Sequence, residues 1–285
     1  PAEPLEIKAE LRPLPAAALP EAPAARPAKP VRKAKPQPVP IASPSNESTP
    51  AVYNIDEPEI AVAEASTVKE SAPPAKPVLP AKGVVRYAVY KSSLSMQIGR
   101  AEQRWDFAED GSYLLQAMTE TSGLASLLKP MRIEQESRGH MVAAGLQPEF
   151  FKTLRNGVDN KESAEFDWST GQVHLSRDAS VQSVTPGTQD ILSLNYQLAY
   201  YGRLAEGTTL GVVTGKKYDR YAVDSLGEEE IEVPAGRFRT LHLRVQTETT
   251  MDLWIALEQR GLPVKMRFTD KKGDSFEQLA TEIGM

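Results

Sequence analysis

The two residue types that most disturb regular backbone are segregated along this chain. Eighteen of its 23 prolines lie within residues 1–80, whereas all 18 glycines lie after residue 80. The proline-bearing stretch holds a single aromatic residue, Tyr53, and few large aliphatics. Such a segment cannot bury enough apolar surface to offset backbone ordering, which costs roughly 1–2 kcal/mol per residue. The reading is a disordered Pro/Ala/Lys/Glu-rich tether over 1–82 and a folded domain over 83–285. Trp105, Trp168 and Trp254 all fall in the second part, which is long enough for one sizeable core.

Within the tether, Pro27, Pro30, Pro36, Pro38 and Pro40 are spaced for polyproline II, at roughly 3.1 Å per residue. Arg26, Lys29, Arg32, Lys33 and Lys35 form a basic cluster. Two readings stay open for it: weak attraction to anionic lipid headgroups or an acidic partner, or a solvated linker kept extended by its charges. The chain begins at Pro1 without an initiating methionine, so a cleaved signal peptide or a membrane anchor upstream is expected.

After residue 83 the apolar period is two. Val85, Tyr87 and Val89 alternate with Arg86 and Ala88. Gln103, Trp105 and Phe107 lead through Glu109-Asp110-Gly111 into Tyr113–Thr119, which predicts a hairpin. Phe166–Trp168 and Val173–Leu175 flank a second turn at Ser169-Thr170-Gly171. Leu241, Leu243 and Val245 share one face of a long strand, Leu262, Val264, Met266 and Phe268 one face of another, and a last strand runs near Phe276–Ile283. Two segments depart from this. Ile191, Leu194, Leu198 and Tyr201 recur at helical spacing, with Thr188 or Asp190 as N-cap and Gly202 at the C-terminus. Gly123–Lys129 is a shorter apolar run stopped by Pro130. The expected fold is mainly β, about a dozen short strands in an antiparallel meander curled into an open or incomplete barrel, with one main helix.

The folded region also resembles a known family. The matching stretches are Tyr87–Tyr90 with Ile98–Ala101, Gly123–Pro130, Gln189–Leu194, Val233–Phe238, Leu253–Ile255 and Gly261–Val264, in order along the chain. Together they are similar to the bacterial exported domain-of-unknown-function 3108 family. The resemblance implies a periplasmic or envelope location and a β-rich fold, like the periplasmic carriers LolA and LolB or a lipocalin, but no assigned activity and no catalytic residues. The proline-rich leader is similar to the spacer of TonB-type proteins, which follows an inner-membrane anchor.

Chemistry is sparse. With no cysteine, disulfides and thiolate metal sites are excluded. His140, His174 and His242 are far apart and lack metal-ligand spacing. There is no G-x-S-x-G elbow, and the glycines near Gly207–Gly215 do not match a phosphate loop. Glu228-Glu229-Glu230 is expected on a solvated edge. A formal net charge of −5 argues against a nucleic-acid partner, and no run of ~20 apolar residues spans a membrane. The expectation is a non-enzyme without cofactor or metal.

Large apolar groups on both faces of single strands are the one functional hint. Trp254 lies opposite Leu253, Ile255 and Leu257. Either a filled core or a cavity for a hydrophobic ligand, such as a lipid or acyl chain, accounts for them. The candidate lining is Leu124, Leu127, Leu128, Ile191, Leu194, Leu198, Tyr201 and Trp254. The expected function is binding or carrying that ligand in the envelope; the alternative is a scaffold for envelope protein partners.

Overall fold

The computed structural model describes residues 73–94, 96–201, 204–246 and 250–285. The expectations for the proline-rich and basic stretches before residue 73 lie outside the described residues.

Among the described residues fifteen strands form one sheet, and every hydrogen-bonded neighbour is also a neighbour in sequence except one pair. The first eight are β1 (Lys82–Lys91), β2 (Met96–Phe107), β3 (Ser112–Thr121), β4 (Arg132–Val142), β5 (Gly145–Arg155), β6 (Val158–Asp167), β7 (Gln172–Leu175) and β8 (Ser180–Ser183). The rest are β9 (Gln189–Asp190), β10 (Thr208–Val213), β11 (Tyr218–Val233), β12 (Gly236–Gln246), β13 (Thr250–Ala256), β14 (Leu262–Thr269) and β15 (Ser275–Gly284). The non-sequential pair is β1 with β15, which brings the two ends of the meander together. β8 and β9, consecutive in the chain, therefore become the two edges of the sheet. The strand order is a ring broken at one seam, the open barrel that period-two alternation predicts. The strands number more than the expected dozen; β8 and β9, four and two residues long, are among those too short to leave a period.

Turn chemistry sets the register. Asp110 accepts the Ser112 amide at 2.9 Å while Gly111 takes φ 85°, so β2 and β3 pair as a hairpin with Trp105 opposite Leu115. A side chain at Gly83 would collide with the Trp105 ring, so the strand beside this tryptophan needs glycine there. Glu228–Glu230 are exposed on the stretch of β11 beyond Val223, where β10 no longer pairs and β12 is the hydrogen-bonded neighbour, the solvated edge expected of them.

The helix expected from Thr188 to Tyr201 is shorter than its apolar spacing suggests. Gln189 and Asp190 pair with β10, one turn and a half of α-helix covers Ser193–Gln197, and a 3-10 turn covers Leu198–Tyr200. Asp190 does cap it. Its Oδ1 accepts the Leu192 and Ser193 amides, both at 2.8 Å, and Ser193 Oγ accepts the Asp190 amide at 3.0 Å. That is a reciprocal capping box. The other helix, α1 (Leu124–Leu128), joins β3 to β4; Ser193–Gln197 is α2. Packing starts ahead of the expected boundary at residue 83. Leu79 is buried, Ala75 donates its amide to Val142 O, and the Trp105 indole donates to Pro80 O at 2.9 Å.

Candidate functional site

Cross-strand register sorts the inward side chains into layers, because directly opposed residues share a face. One layer runs Trp105, Leu115, Ser137, Phe151 and Ala164 across β2 to β6. All five are buried. Plug helix α2 fills the barrel here, packing against β5, β9 and β14. Leu192, Leu194 and Leu198 are buried in the same cluster, and Tyr196 meets Trp105 edge-on at 6.0 Å. Gln197 fastens the plug by accepting the Leu146 amide and donating to Ala144 O. The strap before β1 adds the Val78 amide, donated to Tyr200 Oη at 2.9 Å. This end is closed.

Toward the opposite end the layers change character. Next come Gln103, Ala117, Gln135 and Thr153, then Ala101, Thr119, Ile133 and Arg155. Further along in the same direction, β1, β15, β14 and β13 contribute the row Lys91, Phe276, Phe268 and Met251, in register with Met96 of β2. Thr119, Ile133, Gln135, Met251 and Phe276 are only half-buried, and Phe268 is 39 % exposed although it faces inward. Helix α2 packs on β5, β9 and β14 at the other end, and a 3-10 turn, Ser92–Leu94, follows Lys91 and touches β15 here. These rows line a mouth of mixed character, apolar side chains between amides, hydroxyls and one lysine.

A buried charge cluster marks one side of the mouth. Glu162 is buried and bridged by Arg155 at 3.1 Å and Lys216 at 3.0 Å. Burial works against its ionisation, but hydrogen bonds from both cations outweigh it and hold the carboxyl below the usual range. A second buried acid joins plug to wall. Asp190 Oδ2 accepts the Ser137 hydroxyl at 2.6 Å. Burial pushes its pKa up to about 6, against the hydrogen bonds from Ser137, Ser193 and Leu192. The buried Tyr113 hydroxyl, also held well above its usual range by burial and then by the Asp190 charge, faces the same pair.

The structure does not bring the eight candidate lining residues into one site. Leu194 and Leu198 are core, and Ile191 and Tyr201 lie half-buried beside them. Leu124, Leu127 and Leu128 are 71 %, 81 % and 88 % exposed, so α1 is no lid: it buries none of its residues. It stands on the rim at the open end, between the outer ends of β3 and β4.

Trp254 is buried on the outer face instead. Its ring stacks on His242 at 4.1 Å, Lys265 Nζ covers it at 4.6 Å, and its indole donates to Glu229 Oε1 at 2.6 Å. Asp252 bridges His242 Nε2 at 3.1 Å and Arg244 at 2.7 Å. The sequence reading missed this outer sandwich. Its one available signal was Trp254 and Asp252 sharing a strand face with His242 and Arg244 opposite them. Both imidazole nitrogens are engaged by carboxylates, and among the described residues no group of three or more acids or histidines could hold a metal.

Several solved structures match this chain at low identity. A β-barrel-like protein of domain of unknown function DUF1849 from Brucella abortus is 12 % identical, covering 72 % of this chain and 97 % of its own, with TM-score 0.49. A Bacteroides fragilis protein with a YmcC-like fold is 11 % identical, covering 75 % and 98 %, with TM-score 0.32. A Vibrio parahaemolyticus domain named for outer-membrane lipoprotein sorting is 10 % identical, covering 71 % and 84 %, with TM-score 0.24. No curated protein matches the sequence. The family model for "Protein of unknown function (DUF3108)" matches residues 86–281, and the chain belongs to that family.

Proposed function

We propose that this chain is a non-enzymatic protein of the bacterial cell envelope that holds a hydrophobic ligand, an acyl chain or lipid, in the open mouth of its barrel. One observation carries the reading. Inward-facing Ile133, Met251, Phe268 and Phe276 remain half-exposed or exposed where equivalent positions at the plugged end are buried. Apolar side chains on a concave face that nothing covers are a standing cost in water, removed when an apolar occupant takes the place of solvent. Thr119 and Gln135 supply polar partners for a headgroup or carboxylate, and Lys91, paired with Asp274 at 3.5 Å, adds a cation further toward the rim. The proline-rich leader, similar to the TonB spacer, would hold the domain away from an inner-membrane anchor on the periplasmic side.

Native mass spectrometry of the full chain, purified without detergent, tests this. A lipid-sized adduct lost in Phe268→Asp is expected. A bare protein that also fails to take up added long-chain fatty acid or phospholipid contradicts it.

A further inference from the structure

The most exposed apolar side chains among the described residues all belong to α1. Leu124, Leu127 and Leu128 are spaced at i, i+3 and i+4 and project from one face into solvent. The turn that carries them is firmly built. The Thr121 amide donates to Met131 O and Thr121 Oγ1 accepts the Met131 amide, both at 2.9 Å, closing the base. Inside it, Ser126 Oγ donates to Gly123 O at 2.7 Å and the Lys129 amide to Ala125 O at 2.9 Å. Leucines held this way without packing are not a frayed end of the core.

We infer that this leucine turn is a wedge that seats the open end of the barrel on an anionic lipid surface. Met96, Met131 and Val158 are exposed on the same rim, at the outer ends of β2, β4 and β6. Charge fits too: Lys129 is the one charged residue from Ser122 to Met131. The acids beside the turn, Glu120 and Glu134, are already paired with Arg100 and Arg132. An apolar face flanked by a cation matches the headgroup boundary of a bilayer. A protein partner fits poorly, because a stable interface needs on the order of 1,000 Å² or more. Three leucines on a convex turn offer a fraction of that, and a fluid surface needs no matching pocket. The inference does not require the mouth to be occupied.

The absence of cysteine makes the test clean. Leu128→Cys and, at the plugged end, Ser169→Cys are each labelled with an environment-sensitive dye in the full chain. Each is mixed with vesicles of phosphatidylethanolamine and phosphatidylglycerol, or of phosphatidylcholine alone. The dye at 128 is expected to brighten and shift to the blue, more with the anionic vesicles, while the dye at 169 stays unchanged. Leu124→Ser/Leu127→Ser/Leu128→Ser is expected to lose vesicle binding by roughly ten-fold or more in flotation, with its melting curve and any lipid adduct retained. Flotation without a change at position 128 would assign the membrane contact to another part of the chain and overturn the inference. So would a wild-type dimer that the triple serine variant converts to monomer, since the leucines would then face a second copy. A wild-type chain that carries and takes up no lipid, with vesicle binding intact, would sink the ligand reading alone.

Discussion

The two ends of this barrel are built from the same strands yet treat their inward side chains differently. At one end Trp105, Leu115 and Phe151 are sealed by α2 and the strap before β1. At the other Thr119, Ile133 and Phe276 are half-buried and Phe268 is exposed, although all four face inward. Alternation along a strand decides which side chains face inward, but whether that face is filled depends on elements far away in sequence. The plug is short and sits low, so it stabilises one end and leaves the other free for exchange with solvent or a ligand.

The largest expected effect tests the sealed end. Trp105→Ala removes the ring that packs on Tyr196, and it should cost about 3–5 kcal/mol in denaturant unfolding. A loss under about 1 kcal/mol would mean the plugged end is not the stable one.

Next comes the acid that ties plug to wall. Its folded pKa of about 6 stands above the ordinary 3.8, so the folded state prefers the protonated form. The stabilising contribution is therefore complete below about pH 4 and is lost as pH rises through about 6, amounting to ~3 kcal/mol. Asp190→Asn should remove this fall between pH 4 and 6 and leave the variant at least as stable as wild type at pH 7. Urea titrations at both pH values measure it. An unchanged pH profile would place the carboxylate in contact with water.

The open end should respond in the opposite sense. Phe268→Ala is expected to cost less than about 1 kcal/mol of stability while weakening uptake of a long-chain lipid, read by native mass spectrometry. A loss of several kcal/mol would make Phe268 core and close the mouth. Smallest of all, Leu128→Ser should change stability by no more than about 0.5 kcal/mol, because this side chain is 88 % exposed.

That contrast also explains what the sequence could reveal. Leu262, Val264, Met266 and Phe268 announce one strand face without a fault, and β14 has it. The same four residues do not show that the first three are buried and the last is open, since the period is blind to distance from the plug. Leu194 and Leu198 signalled a helix correctly, but the length was misread because β9 ends only at Asp190, whose carboxylate starts the first turn. For Leu124, Leu127 and Leu128, apolar character alone pointed to a lid, and exposure depends on a connection that reaches past the rim. Trp254 was counted with the cavity lining but packs on the outer face, because its partners Glu229, His242 and Lys265 come from three other strands.

Single cysteines in the cysteine-free chain test the open mouth most directly. Thr119→Cys faces inward at the mouth, Met118→Cys faces outward one residue away, and Phe151→Cys lies under the plug. Maleimide should modify the first two in the folded protein and spare the third. Added phospholipid or long-chain fatty acid should slow the reaction at 119 and leave 118 unchanged. If position 119 is as inert as 151, or lipid leaves its rate untouched, the interior is a filled core and the account fails.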